Sequence, residues 1–164
     1  MAHNSPVKLY LGTAGWSIPK EYAECFPIEG AHLERYSITL PAVEINTSFY
    51  RPHRPQTYSK WADSVPEDFR FAVKMPREIT HDRRLREAEQ PLKTFLNEAS
   101  GLSEKLGPLL VQLPRSQPFN HLVVEQFLSL LRDNFLGNVV LEPRHHSWFA
   151  QDVEQLLANY QIAR

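Results

Sequence analysis

Cysteine is almost absent from this chain: Cys25 stands alone among 164 residues, which excludes an internal disulfide and a paired-cysteine metal site. A reducing, cytoplasmic compartment is therefore the expectation, with the thiol as a small core filler. An excess of one charge is also missing. Lys and Arg number 18 against 19 Asp and Glu, for a formal net charge of −1, so bulk attraction to nucleic acid or an anionic membrane is excluded and any such binding has to be local. No apolar run reaches the roughly 18 residues of a membrane span, and Met1–Val7 lacks a basic patch leading into an apolar segment. Neither a spanning helix nor an export signal is expected. Nucleotide-loop chemistry is missing too: Gly12-Thr-Ala-Gly15 has neither the G-K-[ST] ending of a P-loop nor the spacing of a dinucleotide fingerprint. No G-x-S-x-G elbow activates Ser17 or Ser48, and no H-E-x-x-H pair marks a zinc helix.

What the sequence does have is a repeating alternation. Short β-rich runs occur at Lys8–Leu11, Ala42–Asn46, Arg70–Lys74, Leu109–Gln112 and Asn138–Glu142, and they read as five strands. Several of the thirteen prolines follow these runs closely, at Met75-Pro76, Leu113-Pro114 and Glu142-Pro143, and act as strand stops. Helical spacing fills the gaps. Pro91 opens a helix with Leu92, Phe95, Leu96, Ala99 and Leu102 on one face and Gly107 at its end; Asn120 caps another carrying Val123, Val124, Phe127 and Leu131 before Gly137. Shorter helices are predicted over Ala31–Ser37, Pro55–Ala62 and Gln151–Tyr160. Strand and helix in strict alternation imply a parallel sheet with crossover helices, as an open doubly wound sheet or as a barrel. Alternate side chains share a face, so Glu44 with Asn46, Ala72 with Lys74, Leu110 with Gln112, and Val140 with Glu142 and Arg144 project together. Their polar members gather at the C-terminal strand ends, which in a barrel form the mouth.

Six blocks resemble the YecE-like family, also called domain of unknown function 72. They are Gly12-Thr-Ala-Gly-Trp-Ser17, Ala31-His-Leu-Glu-Arg-Tyr36, Val43-Glu-Ile-Asn-Thr-Ser-Phe-Tyr50, Phe71-Ala-Val-Lys-Met-Pro76 with Ile79-Thr-His81, Leu110-Val-Gln-Leu-Pro114, and Leu141-Glu-Pro-Arg-His145 with Ser147-Trp148. His146 departs from the pattern, since the family usually has proline there. The resemblance implies an α/β fold, a partial TIM-like (β/α)8 barrel of five parallel strands with crossover helices. Residues 1–164 are then one YecE-like domain, the N-terminal part of the barrel without its last strands, stopping where a sixth strand would begin at Ile162-Ala-Arg164. An incomplete barrel has exposed edges, which leads to an expectation of self-association.

Two functional readings compete. In the first, the mouth is an enzyme site for an anionic substrate, phosphorylated or phosphodiester. Glu44, Glu142 and His81 are then the acid-base candidates, Lys74 and Arg144 hold the anion, and Asn46, Gln112, Trp16 and Tyr50 complete the binding surface. The bland reading of the same residues is a buried Glu44–Lys74 ion pair with no ligand at all. No cofactor signature is present. Glu44, Glu142 and His81 are ligand types that a divalent metal accepts, although Lys74 opposes a cation there. The second reading is a non-catalytic module for nucleic acid or another ligand: Trp16, Phe49, Tyr50 and Trp148 offer stacking surfaces beside a rim of Arg51, His53, Arg54, Arg77, Arg83, Arg84 and Arg86. Its bland counterpart is a solvated surface, with Glu78, Asp82, Glu87 and Glu89 interleaved among the arginines.

Overall fold

A computed structural model describes residues 8–164; Met1–Val7, the segment that shows no export pattern, lies outside the described residues. Five strands form one sheet: β1 Gly12–Ala14, β2 Ala42–Ile45, β3 Arg70–Lys74, β4 Leu106–Gln112 and β5 Val139–Glu142. They lie in the order β1-β2-β3-β4-β5, and every neighbouring pair is parallel. A doubly wound sheet reverses its order and carries helices on both faces. Here the order never reverses. Val43, Ile45, Phe71, Val73, Leu109, Val111, Val139 and Leu141 are buried, whereas the alternate residues Ala42, Glu44, Arg70, Ala72, Leu110, Gln112, Val140 and Glu142 keep partial exposure. Helices thus cover one face only, which is the winding of a barrel.

Past β5 the chain begins the same step again. Ala163 pairs in parallel with Val140, donating to the Val139 carbonyl at 3.1 Å and accepting from the Leu141 amide at 2.8 Å. This lies within Ile162–Arg164, where the sequence places the start of a sixth strand.

The helices are α1 His32–Thr39, α2 Pro55–Asp63, α3 Glu89–Ala99, α4 His121–Asn134 and α5 Gln151–Asn159. Local chemistry sets their starts. The Glu34 carboxylate accepts from the Ala31 amide at 2.7 Å, Pro55 occupies the first turn of α2, and Asn120 Oδ1 accepts from the Val123 amide at 3.1 Å to cap α4. Each helix turns its apolar stripe to the sheet: Leu92, Phe95 and Ala99 from α3, and Val123, Val124, Phe127, Leu128 and Leu131 from α4, are buried. These side chains join the covered strand face in one continuous core, each Val, Leu or Phe contributing about 1.5–3 kcal/mol of burial.

Several expectations are corrected. The first strand is Gly12–Ala14, and Lys8–Leu11 is exposed and irregular. β1 approaches β2 so closely that a Cβ at Gly12 would lie 2.0 Å from the Ala42 carbonyl oxygen. Glycine therefore belongs inside this strand, where composition alone disfavours it. Gly107 does not end a helix. α3 tightens into a 3-10 segment at Ser100–Lys105, and Gly107 already lies in β4. The register against β3 slips between Phe71 and Val73, so that Phe71 faces Leu106 and Val73 faces Leu109. Pro108, which has no amide proton to place in a ladder, sits within that irregularity. Cys25 is exposed instead of filling the core.

Candidate functional site

The site follows from strand parity and the proline stops. β3 ends at Lys74 before Met75-Pro76, β4 at Gln112 before Leu113-Pro114, and β5 at Glu142 before Pro143. Each strand therefore presents its last uncovered side chain at the same end of the sheet, and Gln112 pairs in register with Glu142.

Glu142 is the most firmly held of these groups. Gln112 Nε2 donates to both of its carboxylate oxygens at 3.0 Å, and the Arg144 guanidinium meets Oε1 through Nε and Nη2, each at 2.9 Å. Partial burial works against its charge, but these hydrogen bonds, with the charges of Arg144 and Lys74, more than offset that effect and hold the carboxyl below its ordinary value. Glu44 behaves in the opposite way. Burial raises its carboxyl, Lys74 pulls it back, and the charge of Glu142 raises it again, leaving it above the ordinary value. Two carboxyls at one strand end are thus driven apart.

Lys74 does not form the buried ion pair with Glu44. None of the ion pairs among the described residues includes either side chain. Lys74 is only 9% exposed, and its Nζ lies 4.6 Å from the centre of the Phe49 ring. A cation over a ring face is stabilised by the ring quadrupole, but the ring accepts no conventional hydrogen bond. The loop after β2 holds this platform in place: Ser48 Oγ lies 2.8 Å from the Ile45 carbonyl and 2.7 Å from the Lys74 carbonyl, its one proton bridging them.

His81 lies on a π-helical turn, Glu78–Asp82, edge-on to Phe49 at 4.9 Å. Burial and the charges of Arg77, Lys74 and Arg144 lower its pKa against the opposing pull of Asp82, so the imidazole is neutral at pH 7. Thr80 Oγ1 lies 3.2 Å from the Pro76 carbonyl and 2.9 Å from His81 Nδ1. A hydroxyl has one proton; with it on the carbonyl, Nδ1–H donates to the hydroxyl and Nε2 is left as an acceptor.

Glu44, Lys74, His81, Gln112, Glu142 and Arg144 are therefore electrostatic neighbours in a single group. Asn46 stands just beyond Glu44, with Oδ1 sealed from solvent and unpartnered among the described residues. Trp16 is half-buried and packs edge-on against Trp61 at 5.1 Å. Tyr50 is 71% exposed and meets Phe49 edge-on at 4.9 Å. Trp148 is fully buried, its indole donating to the Gln117 carbonyl at 2.9 Å. The sequence flags Phe49 only as a stacking surface and does not flag Ser48 or Thr80; Thr80 adjoins His81 in the chain, whereas Ser48 lies 26 residues from Lys74 and only the fold brings them together.

Two hollows flank the group. One of about 560 Å³ runs along the open sheet face past Gly12, Ala42, Ala72 and Pro108 to Glu44. Another of about 610 Å³ lies beyond Phe49, between Tyr50, Arg77 and Glu98. Part of the basic rim is paired. Arg77 meets Asp82 at 3.1 Å and Arg83 meets Glu78 at 2.9 Å, while His53 leaves the rim to pack against Tyr58 and Trp61 and to bond Thr47. No three His, Cys, Asp or Glu side chains among the described residues converge as a metal-binding group, so Glu44, Glu142 and His81 do not form a ligand set. Among the same residues, no helix is long and apolar enough to cross a membrane.

Comparison with known proteins places this geometry in a family. A family model described as "Protein of unknown function DUF72" matches residues 10–164. The UPF0759 protein YecE of Escherichia coli K12 is 31% identical over 152 residues, which cover 92% of this chain and 54% of that protein. The UPF0759 protein YunF of Bacillus subtilis is 28% identical over 155 residues, covering 87% of this chain and 52% of that protein. The chain thus spans about half the length of the curated relatives it matches. Crystal structures of DUF72 family proteins share the fold: one from Enterococcus faecalis superimposes with a TM-score of 0.76 at 24% identity, covering 93% of this chain and 58% of that one. Another, from Thermotoga maritima, gives 0.74 at 24% identity, covering 93% and 62%. Strand order, the single covered face and the matched family model agree: this chain belongs to the DUF72 family of YecE-like proteins.

Proposed function

We propose that the strand-end group is the active centre of an enzyme acting on an anionic substrate, a phosphorylated small molecule or a phosphodiester. The observation that carries this reading is Lys74, whose side chain is only 9% exposed and whose ammonium has neither a carboxylate nor a hydrogen-bond acceptor among the described residues. A cation with no protein acceptor keeps its donors free for an arriving anion, which takes them up in charge-assisted hydrogen bonds. Arg144, fixed by Glu142, supplies the second cation. Glu44, biased towards its protonated form, is the proton donor, while ionised Glu142 and neutral His81 are acceptors. Carboxyls whose environments separate their pKa values divide acid and base work in this way. Gln112 orients Glu142, and Asn46 and Tyr50 border the substrate. We place the activity in the cytoplasm, where the exposed thiol of Cys25 stays reduced.

Titration with inorganic phosphate, followed by amide chemical shifts, tests the assignment. Binding is expected in the wild type, weakened about tenfold by Lys74→Gln or Arg144→Gln, the size of one charge-assisted hydrogen bond. Equal affinity in all three proteins sinks it. A nucleic-acid-binding module is the second reading, supported by the exposure of Tyr50 beside Arg51. Under that reading, affinity for single-stranded nucleic acid falls steeply with salt, and Tyr50→Ala weakens it.

A further inference from the structure

The six lysines of this chain occupy different settings. Lys8 pairs with Asp68 at 3.5 Å and Lys93 with Glu89 at 2.7 Å; Lys105 donates to the carbonyls of Ala62 and Val65, each at 2.6 Å. Lys20 and Lys60 are exposed. Lys74 alone is buried, and its nitrogen rests on a ring face with no hydrogen-bond acceptor among the described residues. A lysine amine attacks a carbonyl carbon only where its nitrogen is held in a fixed place and is not tied up by an acceptor. Arg144, pinned to Glu142, supplies a second cation within charge range of this site, beside neutral His81.

We infer that Lys74 is a Schiff-base lysine and that the substrate class is an oxo acid, an aldehyde or ketone carrying a carboxylate or phosphate that Arg144 holds. This rests on the anion site proposed above and narrows it. After the ammonium gives one proton to solvent, Nζ forms a bond to the carbonyl carbon as the carbon–oxygen π bond breaks. A nitrogen proton passes to that oxygen, giving a carbinolamine. Glu44, on the strand beside Lys74 and sharing its open face, donates a proton to the hydroxyl; the carbon–oxygen bond breaks, water leaves and an iminium remains. Glu44 then recovers from solvent the proton first released, so ammonium plus carbonyl becomes iminium plus water. The positive charge beside Phe49 is lost at the amine and carbinolamine stages and restored in the iminium. No oxidant, reductant or metal enters the balance. The burial of Glu44, which raises its carboxyl, suits it to hold that proton.

Reductive trapping tests this. The protein is incubated with pyruvate and sodium cyanoborohydride, and the modified lysines are mapped by peptide mass spectrometry. Lys74 is expected to be labelled at least about tenfold faster than exposed Lys20 and Lys60, the margin that one charge-assisted contact to the pyruvate carboxylate supplies. Acetone, which has no anion, is expected to lose most of that preference. Lys74→Arg is expected to give no adduct at that position, and phosphate titration of the wild type, read independently of the adduct map, separates failure of the imine from failure of the anion site. Labelling of Lys74 no faster than Lys20 and Lys60 overturns the inference, and the wild-type map decides this even if the variant does not fold. Equal preference for acetone and pyruvate overturns the oxo-acid assignment.

Discussion

Leu109 and Leu110 are consecutive residues of β4, yet the first is wholly buried against the helices and the second lies on the open face, in register with Lys74. The same opposition runs through the sheet: Val43 against Glu44, Val73 against Lys74 and Leu141 against Glu142. The covered face is apolar because it has nothing polar to pair with. The open face carries small residues towards the strand starts, at Gly12, Ala42 and Ala72, and charged ones towards the strand ends. One face holds the strands in register, and the other can keep charges because it is not sealed. The site is therefore built by residues whose immediate neighbours in sequence do the stabilising.

The sharpest way to break this contrast is to shorten both leucines. Leu109→Ala is expected to cost about 2–5 kcal/mol of unfolding free energy in denaturant titration, as core truncations do, and Leu110→Ala less than about 1.5. Equal losses would mean that the open face is as tightly packed as the covered one. Ser48→Ala comes next. It removes the hydroxyl bridging the Ile45 and Lys74 carbonyls, at a cost of about 1 kcal/mol. Because the bridge fixes Phe49 beside Lys74, the variant is also expected to weaken phosphate binding, a readout that stability alone would leave unmoved.

The two carboxyls give the smallest effects, and they have opposite signs. The folded pKa of Glu44 is raised, so its favourable contribution is complete below its unfolded value and is lost as pH rises through the folded one. Glu44→Gln is therefore expected to raise the melting temperature at pH 7, with the gain vanishing as the pH falls below the carboxylate range. For Glu142 the folded pKa is depressed; its contribution is present above the unfolded value and lost as pH falls through the folded one. Glu142→Gln is expected to lower the melting temperature at pH 7 and to match the wild type in acid. Parallel pH profiles for the two variants would remove the acid-base division.

Much of the frame was legible in the sequence. Short β-rich runs with prolines close behind them marked where β3, β4 and β5 end, and helical spacing marked α3 and α4, because these signals are local and repeat over several turns. β1 was misplaced because its close approach to β2 demands glycine, the residue that argues against a strand when it is met out of context. The first half of β4 was missed for a related reason: Gly107 and Pro108 suit an irregular register against β3 that only the partner strand reveals.

For the site, the sequence alone determined which residues reach the strand ends, since alternation along a strand fixes the face of each side chain and the prolines fix where the strand stops. It could not determine what those side chains touch. Lys74 has an acidic residue on the adjacent strand and an aromatic in the adjacent loop, and both partners are reasonable from the sequence. The tertiary structure decides for Phe49, because Ser48 ties that loop to the end of β3, and gives Glu142 to Arg144 and Gln112. Long side chains choose among neighbours that are distant in sequence, and the choice depends on loop positions and burial that no local pattern encodes. Packing also decided that His53 withdraws onto Tyr58 and Trp61, its near neighbours in the chain, while Cys25 is left exposed.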